Sequence, residues 1–378
     1  MRSLRILLVL ATSTGGVGTH VASLAREFAR TGHTVGVIGP SVTNAQFGFD
    51  SLCDVAFAPL ELGTSLSLKD TAAVSRLRKL IITFDADIVH AHGFRAGFTT
   101  LLAASRVPKR HRPRTVVSWH NQAMGSGLRE LAEKSVQMYV ARNADLTIGA
   151  SSDLVVRARD NGARNAVFAP AAAPDPQFAE DVNNRLLRSQ VLRELALPRD
   201  TVLTLAVGRI APQKNYGMLF DALARIDDDR IRLLIAGAAD DDELRMLRKR
   251  VVAEKLPVHF LGQRDDVTTL NQAADIFVLS SLWEARALVL QEAMMAGKAI
   301  VATATGGTPE LLGDAGLLIT PGDAEAMADG IRMLAADEQM RIELGRRAAH
   351  KALDLPREPD VARTILRHYG ALVEPEDR

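Results

Sequence analysis

Apolar positions along this chain alternate between two rhythms. Short unbroken apolar runs, rich in Val, Ile and Leu, are separated by longer stretches in which apolar residues recur every three or four positions. The first rhythm predicts strands covered on both faces, and the second predicts amphipathic helices packed on them. In the first half, strands are expected at residues 6–11, 34–38, 88–92, 115–120 and 146–150, with helices at 18–30, 69–83 and 128–142. The segment 169–176, APAAAPDP, carries three prolines in eight residues and reads as a semi-rigid linker. A polar helix is expected at 180–192.

The rhythm then restarts. Strands are expected at 202–207, 233–236, 258–261, 276–279, 299–302 and 317–319, with helices at 216–225, 243–253 and 288–296. After Pro321 the chain reads as helical almost to its end, with a last helix at 360–372 that follows Pro356. Strand–helix alternation repeated in two halves predicts an α/β protein of two Rossmann-like, doubly wound parallel-sheet domains facing a central cleft. The expected boundaries are 1–180, 181–356, and a closing segment 357–378.

Composition narrows this picture. The 378 residues suffice for two cores, and 46 basic against 45 acidic residues give no global field for nucleic acid. The single cysteine, Cys53, excludes an intramolecular disulfide and a cysteine-based zinc site. No segment has the ~18 unbroken apolar residues of a membrane span. The run at 6–11 leads straight into glycines, as a buried first strand would.

Candidate chemistry gathers at the carboxyl ends of the expected strands, where ligands of such folds bind. Segment 12–18, TSTGGVG, places Gly15 and Gly16 before a helix, either for phosphate contact or as a plain turn. Its spacing departs from the dinucleotide pattern, since position 21 is Val21. Segment 207–214, VGRIAPQK, puts Arg209 and Lys214 in one loop, where both could reach a diphosphate. Glu284 and Glu292 lie eight apart, Glu292 among apolar residues. Sugar and ribose hydroxyls would satisfy such carboxylates, as would a salt bridge to Arg286 or Lys298. Segment 304–310, ATGGTPE, offers amides at Gly306, Gly307 and Thr308 to the same diphosphate, or is simply a turn.

His90, His92 and His120 fall at strand ends. A pair of histidines without a third ligand argues against a metal, and hydrogen-bonded histidines at the rim of a site are the simpler reading. The acidic runs 227–229 and 240–242 read as solvated loop tips. Arg and Lys at 109, 110, 112 and 114 form a basic loop that could meet anionic lipid or water.

Taken together these residues resemble family 4 of the retaining glycosyltransferases, which have the GT-B fold. The likeness rests on Gly208-Arg209 with Lys214, the pair Glu284/Glu292, and Gly306-Gly307 with Glu310. It extends to Gly15-Gly16 followed by His20-Val21, to DIVHAH at 87–92, and to Ser118 with His120, and spans about residues 5 to 373. The resemblance implies a sugar transferred, with retention, from a UDP- or GDP-sugar to a hydroxyl acceptor, without a metal or other cofactor. Arg209 and Lys214 would hold the diphosphate, helped by Gly16. Glu292 would grip the ribose, and Glu284 with the turn at Leu288 and Val289 would meet the donor sugar. Gln263 and Arg264 would border the base, His120 would lie near the transferred sugar and the acceptor, and the last helix, in segment 357–378, would cross back onto the first domain.

The resemblance also implies a cytoplasmic setting, with at most peripheral contact on the inner membrane face, and acceptor-binding loops near 42–49 and 122–127. The sequence specifies no oligomeric state. It departs from the family at 284–287, where EARA stands for Glu-Gly-Phe-Gly, and after the linker proline, where the usual Asn-Gly is missing. This departure leaves the donor sugar open. An epimerase, a nicotinamide dehydrogenase or a non-catalytic nucleotide-sugar binder on a similar fold are the alternatives.

Overall fold

The fold was obtained as a computed structural model, which describes residues 2–62, 70–121, 128–176 and 184–374. The expected acceptor loop at 122–127 lies outside the described residues. The chain divides into two compact units, Met1–Ala172 with Pro356–Arg378, and Ala173–Leu355.

The first unit holds a seven-stranded sheet in the order β3-β2-β1-β4-β5-β6-β7, every described pairing parallel. In chain order the strands are β1 Arg5–Leu10, β2 Thr34–Gly39, β3 Val55–Pro59, β4 Ile88–His92, β5 Arg114–Trp119, β6 Leu146–Gly149 and β7 Ala166–Phe168. All of β4 is buried, and β1, β2 and β5 are buried beyond their first residue, because helices cover both sheet faces.

The second unit has a six-stranded sheet in the order β10-β9-β8-β11-β12-β13, also parallel. Its strands are β8 Val202–Val207, β9 Ile231–Ala236, β10 Val258–Gly262, β11 Ile276–Leu279, β12 Ala299–Thr303 and β13 Leu317–Ile319. One core lies on each sheet face: Phe220, Leu233, Val301 and Leu334 on one, Leu205, Phe277, Leu290 and Ile300 on the other.

Both strand orders reverse direction once, between β1 and β4 and between β8 and β11. Loops at the carboxyl ends of these strand pairs diverge to opposite faces and leave room for a ligand. The last helix, Glu358–Val373, belongs to the first unit. It packs on helix Gly16–Arg30 through an edge-on contact of Phe28 with Tyr369, 5.7 Å between ring centroids.

Candidate active site

In the second unit three loops meet at the carboxyl edge of the sheet, following β8, β11 and β12. The β8 loop turns through Pro212–Lys214 into helix Tyr216–Leu223. It is latched to the β11 loop in three places. The Leu282 amide donates to Gln213 O (2.9 Å), Gln213 Nε2 donates to Trp283 O (2.7 Å), and Ser280 Oγ donates to Lys214 O (2.7 Å). The β12 loop is latched to the same segment from the other side. Thr303 Oγ1 donates to Ser281 O (2.7 Å), Thr305 Oγ1 to Leu282 O (2.9 Å), and the Gly307 amide to Glu284 O (2.8 Å).

Glu284 sits at the centre of this frame, 8% exposed. Its Oε1 accepts from Lys214 Nζ at 2.6 Å and from Ser281 Oγ at 2.7 Å. The Lys214 stem lies over Gly208, where an added Cβ would come within 2.9 Å of Lys214 Cε. Arg209, in the same loop, is exposed, and its side chain has no partner among the described residues. Sequence order placed Arg209 and Lys214 side by side as free cations. The structure gives them different states, one paired and half-buried, the other open to a ligand.

Helix Leu288–Met295 starts one residue after the β11 loop, with Ala287 as an N-cap that supplies no side-chain hydrogen bond. The first-turn amides of Leu288 and Val289 have no acceptor within the helix and face out of its start. Glu292, one turn further along the same face as Leu288, is half-buried, and burial raises its carboxyl pKa to about 7. The salt bridge considered for it does not form among the described residues. Lys298 Nζ instead donates to Gln272 O (3.1 Å) and Ala274 O (3.2 Å), and the charge beside Arg286 is Glu310. Without such a bridge, Glu292 keeps its acceptor capacity for hydroxyl groups.

Two of the expected donor contacts are held by other partners. The Gly307 and Thr308 amides were expected to face a diphosphate. The first holds the Glu284 carbonyl and the second donates to Thr305 O at 3.0 Å, so of the three amides only Gly306 keeps a free N–H among the described residues. Arg264, expected to border a base, spends its guanidinium on two carboxylates. Nε and Nη2 grip Asp266 at 2.7 and 2.8 Å, and Nη1 reaches Glu194 at 2.7 Å. Gln263 beside it is exposed.

The first unit gathers histidines at its own switch point. His92 ends β4, His120 follows β5, and His20 lies on the helix after β1. His92 Nδ1 is 3.1 Å from His120 Nε2, and the two rings are nearly parallel. His20 meets both edge-on, with centroids 5.7 and 5.5 Å away. His90 lies deeper, with Nδ1 2.5 Å from Tyr369 Oη and Nε2 2.7 Å from Ser118 Oγ. Burial, reinforced by neighbouring histidines, lowers the pKa of His20 to about 3 and holds His90 and His92 well below the usual range. Burial alone lowers His120 to about 4. All four are neutral at pH 7.

Sequence reasoning found no third histidine for a metal, and the structure supplies one. Ligand nitrogens of His20, His92 and His120 lie within 4.8 Å of one another. His20 sits on a helix rather than a strand, so no strand-face argument could pair it with His92.

The glycine turn after β1 divides its work. Gly15 is the N-cap of helix Gly16–Arg30, and nothing lies within 4 Å of a Cβ added there. A Cβ on Gly18 would strike the Phe47 ring at 2.2 Å, so that glycine serves helix packing. Helix Ser41–Phe47, in the segment expected to meet an acceptor, supplies this ring.

Each unit is similar to a known protein family. Residues 15–171 match the family model "Glycosyl transferase 4-like domain", and residues 188–351 match "Glycosyl transferases group 1". The chain belongs to the family 4 glycosyltransferases of GT-B fold, and it is a transferase enzyme. It is 27% identical over 373 residues to a D-inositol 3-phosphate glycosyltransferase of Corynebacterium glutamicum, covering 90% of this chain and 88% of the relative. It is 29% identical over 354 residues to a phosphatidyl-myo-inositol mannosyltransferase of Mycolicibacterium smegmatis, covering 89% and 85%. Among solved structures it resembles Anabaena Alr3699/HepE in complex with UDP and glucose, with TM-score 0.81, 20% identity, and 97% and 100% of the two chains covered. It also resembles WaaG, a glycosyltransferase involved in lipopolysaccharide biosynthesis, with TM-score 0.71, 16% identity and coverage of 95% and 98%. The epimerase, dehydrogenase and non-catalytic readings give way to the transferase.

Proposed function

We propose that this glycosyltransferase takes its sugar from a nucleotide-diphosphate donor and passes it, with retention, to a hydroxyl acceptor. The observation that carries the reading is the Lys214–Glu284 pair at the β8/β11 switch point, beside an exposed and unpartnered Arg209. In such a transfer the bond from the anomeric carbon to the diphosphate oxygen breaks as the acceptor oxygen bonds to the same carbon. The acceptor's proton passes to the departing phosphate. Negative charge builds on that phosphate, so cations aimed at it stabilise the transition state more than the ground state. Arg209 and Lys214 supply that charge, and no metal or cofactor enters the reading. Glu292, helped by its raised pKa toward either accepting or donating, holds ribose hydroxyls.

A uridine donor is favoured by the UDP and glucose named for the Anabaena protein, and inositol-type acceptors by the names of the sequence relatives. Among the described residues no helix is long and apolar enough to cross a membrane. We place the protein in the cytoplasm, with a glycolipid acceptor bringing it to the inner membrane face.

The test is transfer by the purified full chain from a panel of UDP-, GDP- and ADP-sugars to inositol-type and sugar acceptors, read by mass spectrometry and by thermal shift. A diphosphate nucleotide should raise the melting temperature, and a glycosylated acceptor of retained anomeric configuration should form, with or without EDTA. Inverted product, or turnover abolished by the chelator and restored by a divalent ion, would overturn those parts of the reading.

A further inference from the structure

We propose that Arg286 binds a carboxylate on the transferred sugar, so that the donor is a nucleotide-diphosphate uronic acid. This rests on the donor reading above and names its substrate class.

Arg286 lies two residues past Glu284, in the loop that the flanking loops hold rigidly in place. Its Nε and Nη2 are buried and have no hydrogen-bond partner among the described residues. These two nitrogens form one edge of the planar guanidinium. Their N–H groups point the same way, a fork that matches the two oxygens of a carboxylate. Glu310, at the start of the helix after β12, is close enough to favour the positive charge but does not fill this edge. Burial outweighs that help and lowers the Arg286 pKa to about 10. Thr308 Oγ1, in the neighbouring β12 loop, is a third buried polar atom without a partner.

Buried donors without acceptors are costly, and a buried charge is not offset by neutral hydroxyls as it is by an anion. Three such atoms in two adjoining loops of a candidate donor site therefore point to an anionic oxygen of the ligand. The two cation sets come from different loops: Arg209 and Lys214 belong to the β8 loop, whereas Arg286 belongs to the β11 loop and has Glu310, after β12, as its neighbouring charge. The two cation sets thus serve two groups of one donor.

The experiment compares UDP-glucose with UDP-glucuronate, and GDP-mannose with GDP-mannuronate, for the wild type, Arg286→Gln and Arg286→Lys. UDP and GDP alone serve as references. Affinity is read by thermal shift and calorimetry, and transfer by initial rates. The wild type should prefer the uronate by ~10-fold or more, from one charge-assisted bidentate contact. Arg286→Gln should bring that ratio close to one, and Arg286→Lys should retain part of it. The uronate assignment is overturned by a wild type that favours the neutral hexose. It is also overturned if Arg286→Gln weakens the free nucleotide diphosphates and both sugars by the same factor, because the guanidinium would then serve phosphate. A wild type that no nucleotide diphosphate stabilises would remove the donor reading itself, and the sugar assignment with it.

Discussion

Lys214 Nζ stands 2.6 Å from Glu284 Oε1, with the two side chains only 18% and 11% exposed. The pair ties the β8 loop to the β11 loop and leaves each charge dependent on the other. A donor diphosphate arriving at Lys214 would therefore meet a cation already oriented.

Replacing Lys214 should then have two separable effects. Lys214→Met should cut turnover by ~100- to 1000-fold, the usual cost of losing one preorganised donor. It should also lower stability by up to about 3 kcal/mol, at the low end for a broken buried pair because both groups keep some exposure. The double variant Lys214→Met/Glu284→Gln should regain most of the melting temperature without regaining turnover. Calorimetry and kinetics on the same preparations decide this; a single variant that melts like the wild type would show that the pair carries no structural role.

Arg209→Ala should behave differently. The side chain is exposed and makes no hydrogen bond or ion pair among the described residues, so stability should stay within about 0.5 kcal/mol of the wild type. Transfer should still fall by ~100-fold or more if the guanidinium meets the leaving phosphate. An unchanged kcat/KM would remove Arg209 from the site.

Gly306 has φ +51°, and a Cβ there would lie 2.0 Å from the Glu284 carbonyl oxygen. Gly306→Ala should thus cost about 1–3 kcal/mol in backbone strain alone and push the Glu284 loop out of place. Gly48 also has positive φ, +63°, but its nearest neighbour for an added Cβ is 3.9 Å away. Gly48→Ala should show the strain without the loss of transfer. Similar kinetic losses in both variants would contradict a special role for the Gly306 turn.

The buried histidines set an acid limit on the first unit. In the unfolded chain a histidine takes up its proton near pH 6.5, whereas in the fold His20 and His120 resist it down to about 3 and 4. Between these values the unfolded state binds more protons, so stability rises with pH and falls on acidification. The contribution is fully present above about pH 6.5 and is lost progressively as pH falls through about 4 and then about 3. His92→Gln should flatten the dependence of melting temperature on pH over that window. A slope identical to that of the wild type would show that His92 does not contribute to it.

Much of the fold could be read locally. Strand positions 88–92 and 276–279 coincide with β4 and β11 because unbroken apolar runs flanked by turn residues leave few alternatives. Both overlooked strands lie at sheet edges. β3 is only partly buried and ends in Pro59, and β7 has three residues, so neither carries the continuous apolar signal of a central strand. At the site, the residue types and loops of Arg209, Lys214, Glu284 and Glu292 were legible. The latches made by Gln213, Ser280, Ser281 and Thr305 were not, because a serine or threonine after a strand reads as an ordinary turn residue.

The amino-acid order by itself determined two doubly wound α/β units, their glycine turns, and which charged residues stand at strand ends. These are consequences of backbone periodicity and steric freedom within a few residues. Partnership was decided only by the tertiary structure. Lys214 and Glu284 are 70 residues apart, and they meet because β8 lies beside β11 in the sheet. The same three-dimensional placement brings His20 to His92 and His120, assigns the Gly307 amide to Glu284, and leaves one buried edge of Arg286 without a hydrogen-bond partner among the described residues. Hydrogen bonds and ion pairs act over a few ångströms of space, and alternating strands and helices do not reveal which loops the sheet order will bring within that range.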